Sequence, residues 1–281
     1  MTRPSRPVLR WHGSKWRIAP WVISHFPKHR IYVEPFGGGA GVLLRKERAI
    51  TEVYNDLDAD LVNMFLIIRE RPLELARALM LTPYARDEYS TLYQPCADAL
   101  ERARRFIARS FMGMQSKGAI SKSGFDGRTN PDGYTGRLRS FADLPEEVVA
   151  VAGRFTHVLV EHRDAIDLVG RYDRDDALIY LDPPYLAHTR SGKTYNHEMT
   201  DQQHLIMLEK LRSLSSMIIV SGYPSEIYDR ALPDWSKHTL RARTDGGMIR
   251  TEVLWINPLA TRRLQESALY EQLPLLDAME V

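Results

Sequence analysis

The apolar positions of the chain follow two rhythms. Short apolar runs bounded by Gly, Pro, Asn or Asp recur at 31–33, 52–54, 158–160, 177–181 and 217–220. Runs of that length between breakers predict buried strands. Residues 16–26, 57–68, 164–170 and 201–214 instead carry apolar residues at helical spacing, and Pro27 ends the first of these. The last opens on Thr200-Asp201-Gln202-Gln203, a capping box. Val42-Leu43-Leu44 is expected to begin a further helix after the first strand. This alternation predicts a mostly parallel sheet with crossover helices. Residues 237–242 and 251–256 flank Asp245-Gly246-Gly247, which predicts a closing antiparallel hairpin.

The rhythm changes between about 70 and 155. Helical patterns are expected at 73–81, 86–93 and 97–111, and then 113–136 becomes dense in Gly, Ser, Asn, Asp and Lys. Its turn pairs Ser123-Gly124, Asp126-Gly127 and Asp132-Gly133 predict an irregular loop or hairpin, and long loops in compact domains are usually functional or disordered. The division that follows is a discontinuous α/β domain of residues 1–70 and 155–260, a mainly helical insertion of 71–154, and a tail of 261–281.

Composition narrows the class. The 281 residues are 44% hydrophobic and 26% charged, ordinary values for a globular protein. No apolar run reaches the ~18 residues of a membrane span, and Met1-Thr2-Arg3-Pro4 lacks the apolar core of a signal peptide. A cytoplasmic protein is expected, in the host cytoplasm if virally encoded. Cys96 is the single cysteine, and the nine histidines are scattered. An internal disulfide is thus excluded, and no metal is expected. The net charge of +2 means that a basic binding face must arise from uneven distribution.

Two stretches carry candidate chemistry. The strand 177–181 runs into Asp182-Pro183-Pro184-Tyr185, where two prolines forbid continued sheet pairing and hold a carboxylate at a strand's carboxyl end. Ligands bind there in open α/β sheets, although a plain Pro-rich turn has the same composition. The turn Gly37-Gly38-Gly39-Ala40-Gly41 follows the first strand, where glycine admits close approach of a ligand to the backbone. Asp56 lies 18 residues beyond Gly38, close to the ~20-residue spacing at which a carboxylate meets a ribose hydroxyl. Together they suggest an adenosine-containing cofactor; a tight strand-to-helix turn without ligand is the alternative.

With these motifs assembled, the chain resembles a known family. Trp11-His12-Gly13-Ser14-Lys15, Glu34-Pro35-Phe36-Gly37-Gly38-Gly39-Ala40-Gly41, Asn55-Asp56-Leu57-Asp58 and Asp182-Pro183-Pro184-Tyr185 occur in the order found in the Dam-like (D12 class) adenine-N6 DNA methyltransferases. The likeness continues through Ser221-Gly222-Tyr223 to Thr251-Glu252-Val253-Leu254-Trp255. It implies a Rossmann-like S-adenosylmethionine-dependent methyltransferase fold with residues 71–154 as the target-recognition region. It also implies transfer of the methyl group of S-adenosyl-L-methionine to the N6 amine of an adenine flipped from double-stranded DNA. By resemblance Lys15 binds the methionine carboxylate, Trp11 lines that pocket, and Glu34, Pro35, Phe36, Gly37, Gly38 and Gly39 contact the cofactor, with Asp56 on its ribose. The family's Phe-x-Gly-x-Gly is altered here, its second glycine displaced to Gly41. Asp164 is a candidate for the cofactor's adenine amine and equally for a helix N-cap.

At the acceptor, the Asp182 carboxylate and the Pro183 carbonyl are expected to accept hydrogen bonds from the two N–H groups of the exocyclic amine, with Pro184 and Tyr185 completing the catalytic motif. In-line displacement then needs mainly proximity and electrostatic fit. Tyr185 stacks on the extruded base, and Tyr195 either helps close that pocket or is an exposed loop residue. Arg105, Arg109, Lys117, Lys122, Arg128, Arg137 and Arg139, interleaved with Phe125 and Tyr134, are candidates for DNA contact, each otherwise a solvated charge. Arg190 and Lys193 share that alternative. Cytosine N4 is a second acceptor of the same chemistry, and a catalytically silent DNA-binding module is a different class. A nicotinamide-dependent oxidoreductase is disfavoured by the glycine spacing. The recognised DNA sequence and any restriction endonuclease partner are not encoded in these motifs.

Overall fold

The computed structural model describes residues 3–114, 119, 121–128, 136–186, 196–243 and 249–277. Within them, β1 (Ile31–Glu34), β2 (Thr51–Asn55), β3 (Val158–Glu161), β4 (Ala177–Leu181), β5 (Met217–Gly222), β6 (Ser236–Arg243) and β7 (Ile249–Ile256) form one sheet in the order β3-β2-β1-β4-β5-β7-β6. The first five strands pair in parallel, and β7 runs antiparallel to both β5 and β6. The expected mixed α/β sheet with a terminal antiparallel hairpin is thus present. Both central strands, β4 and β5, are buried at every residue. That is why they read as unbroken apolar runs rather than as alternating strands.

Helices cover both faces. Tyr32, Tyr54, Leu178 and Tyr180 point to one side, where they join a core cluster with α2 (Ala59–Glu70), α3 (Pro72–Met80), α5 (Ala99–Met112) and α7 (Leu144–Phe155). Their strand neighbours Val33, Val53, Ile179 and Leu181 face the other side, against α8 (Ala165–Arg171) and α9 (Asp201–Arg212). Phe65 of α2 stacks on Phe155 of α7 at 4.5 Å. Helices drawn from 71–154 therefore share one core with the sheet. α4 (Arg86–Thr91) and α6 (Gly136–Ala142) complete this region, and α10 (Glu226–Ala231) follows β5.

Several expectations need correction. Val42-Leu43-Leu44 does not begin a helix: Leu44 N–H donates to Ala40 and Lys46 N–H to Val42, closing a single turn. Ala40 has φ of 54°, and Lys46 is drawn inward to Glu52, so the chain cannot continue helically. The β1–β2 crossover is consequently an irregular turn. Only Ala19–Ile23 of 16–26 is helical, as α1, with a proline in its first turn. Beyond the hairpin, α11 (Pro258–Asp277) occupies most of the expected tail. Asn257 opens it, its Oδ1 accepting the amides of Ala260 and Ile218 while its amide group donates to Ser216. No helix among the described residues is long and apolar enough to cross a membrane.

The chain runs from β1 outward through β2 to β3, then returns to β4 on the opposite side of β1. This reversal makes the carboxyl ends of β1 and β4 the switch point where α/β sheets bind ligands.

Candidate active site

At the end of β1 the glycine turn is held by three bonds. Gly37 N–H donates to the Asn55 carbonyl, Gly38 N–H to Asp56 Oδ2 and the Tyr54 hydroxyl to the Gly38 carbonyl, at 2.7–2.8 Å. Gly38 has φ of 48°, a region open chiefly to glycine. A Cβ on Gly37 would sit 2.2 Å from the Tyr54 ring, and one on Gly41 would sit 2.8 Å from the Trp16 nitrogen. Gly41 thus serves packing against the 14–16 segment. Asn55 bridges strand ends, its amide donating to the Pro35 and Arg163 carbonyls while its Oδ1 accepts from Arg163 N–H.

Asp56 accepts two amides, Gly38 on one oxygen and Asp58 on the other. Burial pushes its carboxyl up to about 6, although those two amides act in the opposite direction. Glu34, 2% exposed at the end of β1, is also pushed up by burial and then by nearby Asp182. Its Oε2 is buried with no hydrogen-bond partner among the described residues.

These groups line a cleft of about 460 Å³ together with Trp11, Lys15, Pro35, Phe36, Gly39, Asp164, Asp182 and Pro184. That volume suits a small-molecule ligand. Every residue expected to hold the cofactor lies on its wall. Asp164 also caps α8, its Oδ1 accepting from Ile166 and Asp167, so the two readings of this residue are compatible.

Asp182 emerges from β4 with both oxygens engaged. Ser221 donates to Oδ1 at 2.7 Å, and Lys15 pairs with Oδ2 at 2.8 Å. The Tyr180 hydroxyl donates to Ser221 in turn. Lys15 also donates to the Gly13 carbonyl and lies 4.7 Å from the Tyr185 ring centroid. Expected at a cofactor carboxylate, Lys15 is here the counter-charge of Asp182. Tyr185 is 9% exposed; its ring meets Tyr223 edge-on at 4.5 Å, and its hydroxyl donates to Glu252 at 2.9 Å. Burial pushes the Glu252 carboxyl up.

Residues 11–232 match the family described as D12 class N6 adenine-specific DNA methyltransferase. The chain belongs to this family. It is therefore an enzyme that methylates the N6 amine of adenine in DNA, and the cytosine-N4 and silent-module readings give way to adenine methylation. It is similar to a DNA adenine methylase of Serratia marcescens, 23% identical over 84% of this chain and 88% of the relative. The retron Ec67 DNA adenine methylase of Escherichia coli is 24% identical over 94% and 98% of the two chains. A type II methyltransferase of Lactococcus lactis subsp. cremoris is 23% identical over 86% and 89%.

In this adenine methyltransferase the basic candidates for DNA contact divide by environment. Arg105 donates to Glu101 and the Gln94 carbonyl, and Arg109 to Asp60 and the Ala119 carbonyl. Arg137 binds the Met114 carbonyl and pairs with buried Asp126 at 2.5 Å. These three bind the 71–154 helices and loop to themselves and to α2. Lys122, Arg128 and Arg139 are exposed, Arg128 with a bidentate pair to Asp126. Lys117, Tyr134, Arg190, Lys193, Tyr195 and the Asp245-Gly246-Gly247 turn lie outside the described residues.

Sequence reasoning missed part of the cleft. Asn196, His197, Glu198 and Met199 line it, and Asn196 donates to Asp58 at 2.8 Å across 138 residues. Only the capping box just beyond them marked the place. Glu252 fell inside a recognised motif, but nothing local paired it with Tyr185.

Proposed function

We propose that S-adenosylmethionine is the methyl donor, held between the Gly37-Gly38-Gly39 turn and Asp182, and that the target is an adenine extruded from double-stranded DNA. The observation that carries this reading is the single cleft joining those glycines, Asp56 and Asp182 across the β1–β4 switch point. Its chemistry fits the donor. Asp56 offers a carboxylate for ribose hydroxyls, and the glycine turn offers close backbone approach. The orphaned Glu34 Oε2 and the Trp11 indole add a polar atom and an apolar wall.

S-adenosylmethionine supplies an electrophilic methyl on a cationic sulfonium. The protein's own part is to bind, orient and polarise. Lys15, paired with Asp182 in the fold, would hold the donor's carboxylate, and Asp182 would then be free to meet the adenine amine. Each carboxylate oxygen keeps a further lone pair, so Asp182 can accept an amine hydrogen while Ser221 still holds it. The Pro183 carbonyl accepts a hydrogen bond from the second N–H of the amine, and Pro184 stiffens the loop. The Tyr185 ring supplies the stacking surface, its Lys15 side opening as that ammonium moves away. Lys122, Arg128 and Arg139 of the target-recognition region 71–154 are the proposed DNA contacts, with Lys117. The enzyme works where its DNA lies, in the cytoplasm.

Duplex DNA and RNA, each incubated with labelled methyl donor and then digested to nucleosides, test the reading. N6-methyladenine from duplex DNA is the expected product. N4-methylcytosine, or label in RNA alone, overturns it.

A further inference from the structure

Among the described residues, the 182–185 loop is anchored through the side chains of Asp182 and Tyr185, and the partner of the second is a residue with no assigned part in the reaction. Pro183 and Pro184 leave Asp182 and Tyr185 as the groups through which the rest of the protein can hold the loop. Asp182 is fixed by Ser221 and Lys15. Tyr185 is fixed by Glu252, which reaches it from β7, two strands away from β4 in the sheet.

Glu252 precedes four fully buried residues of β7, a place where a carboxylate needs a partner. It has one in the Tyr185 hydroxyl at 2.9 Å. Tyr223, which follows the end of β5, closes on the ring edge, and Arg250 lies 5.8 Å from the Tyr223 ring centroid. The ring is thus gripped at its hydroxyl by β7, at its edge by Tyr223 and over its face by Lys15. Among the residues lining the cofactor cleft Glu252 does not appear, so its contact is with the loop and not with the donor's site.

We propose that Glu252 is a positioning residue for methyl transfer: through the Tyr185 hydroxyl it holds the loop so that Asp182 meets the target amine in line with the donor. This rests on the reading of Asp182-Pro183-Pro184-Tyr185 as the reacting end of the cleft. Removing the acceptor takes away the hydrogen bond that ties a buried phenol to β7, and the ring loses that restraint. Misplacement of a reacting group by ~1 Å costs on the order of 10²-fold in rate.

The test is a mutant cycle on the full chain. Transfer to duplex DNA, cofactor affinity by titration calorimetry and melting temperature are measured for Glu252→Ala, Glu252→Gln, Tyr185→Phe and the double variant Tyr185→Phe with Glu252→Ala. Glu252→Ala is expected to lower kcat by roughly 10- to 100-fold and leave cofactor affinity unchanged. Glu252→Gln, which keeps an acceptor oxygen, recovers most of the loss. In the double variant the alanine adds little to Tyr185→Phe, because both changes remove one bond. Should Glu252→Ala not fold, Tyr185→Phe carries the comparison alone, since it removes the same bond from the other end. Wild-type kcat in Glu252→Ala or in Tyr185→Phe, or losses that multiply in the double variant, overturn the proposal. An Asp182→Ala control separates the two levels. Inactive Asp182→Ala beside fully active Glu252→Ala overturns this inference alone, whereas active Asp182→Ala overturns the reading of the site and this inference with it.

Discussion

Asp182 and Asp56 are carboxylates in contrasting surroundings, and the contrast predicts how each fails. Asp182 is held by a hydroxyl and an ammonium beside the proposed acceptor. Asp182→Ala is expected to lower methyl transfer by roughly 10²- to 10⁴-fold, the range for a group acting directly on the reacting centre. Cofactor affinity should stay near wild type, and calorimetry beside a labelled-methyl assay checks both. Asp56 is different because burial lifts its carboxyl to about 6. Its charged form suits ribose hydroxyls, so cofactor affinity should fall as pH drops through about 6, and Asp56→Ala should weaken binding and flatten that dependence. The sign for folding is opposite. A carboxyl raised in the folded state contributes stability that is present below its unfolded value and lost as pH rises through about 6. Both residues were legible in sequence because a strand end, two prolines and a glycine turn are local features. Glu252 and Asn196 were not, since their partners lie 67 and 138 residues away. Arg105 and Arg109 read in sequence as a DNA face; in the fold they are engaged by Glu101, one helical turn away, and by Asp60, 49 residues away.

At the level of elements, the glycine turn is shaped by Tyr54 as much as by its own residues. Tyr54 is fully buried, packs against Phe65 with tilted rings 4.7 Å apart and donates to the Gly38 carbonyl, so its ring cannot yield to a new Cβ at 2.2 Å. Gly37→Ala should therefore cost about 1–3 kcal/mol, the usual range for overpacking, and should weaken cofactor binding more than proportionately. Urea unfolding with a parallel cofactor titration measures both effects. A variant with wild-type stability would mean that Tyr54 is not the wall described. The five parallel strands were readable because each is a short apolar run between breakers, and the hairpin because a glycine-rich turn separates its two segments. The missing β1–β2 helix was not, because Val42, Leu43 and Leu44 pack as a buried turn whose apolar spacing imitates a helix start. α7 was legible in principle, with Leu144, Val148, Val151 and Phe155 buried on one face, but the turn-rich segment before it masked its beginning.

For the whole molecule, the question is what joins residues 71–154 to the sheet that carries the cleft. Part of the answer is apolar, the Phe65–Phe155 stack and the core shared by α2, α3, α5 and α7. A buried ion triad adds to it. Glu52 of β2 accepts from Lys46 at 2.7 Å and from both terminal nitrogens of Arg154 on α7, which also donates to the Leu43 carbonyl at 2.8 Å. The Lys46 and Arg154 side chains are 2% and 7% exposed. Removing the shared anion would strand two buried cations, so Glu52→Ala should cost about 3–5 kcal/mol. The exposed Arg230–Glu226 pair, 82% and 85% accessible, is the control, and Glu226→Ala should change stability by less than about 1 kcal/mol. Burial alone would raise the Glu52 carboxyl, but Arg154 and Lys46 outweigh it and hold the group below its ordinary value. A carboxyl lowered in the folded state contributes stability that is present above its unfolded value and lost as pH falls through the folded one. Acid unfolding of the wild type should accordingly contain a component that Glu52→Ala lacks. Because one core spans strands and inserted helices, loss of cofactor binding and loss of helical signal should coincide in urea for both proteins. Separate transitions in the wild type would show instead that the helices of 71–154 unfold independently of the cleft and that the triad does not couple them.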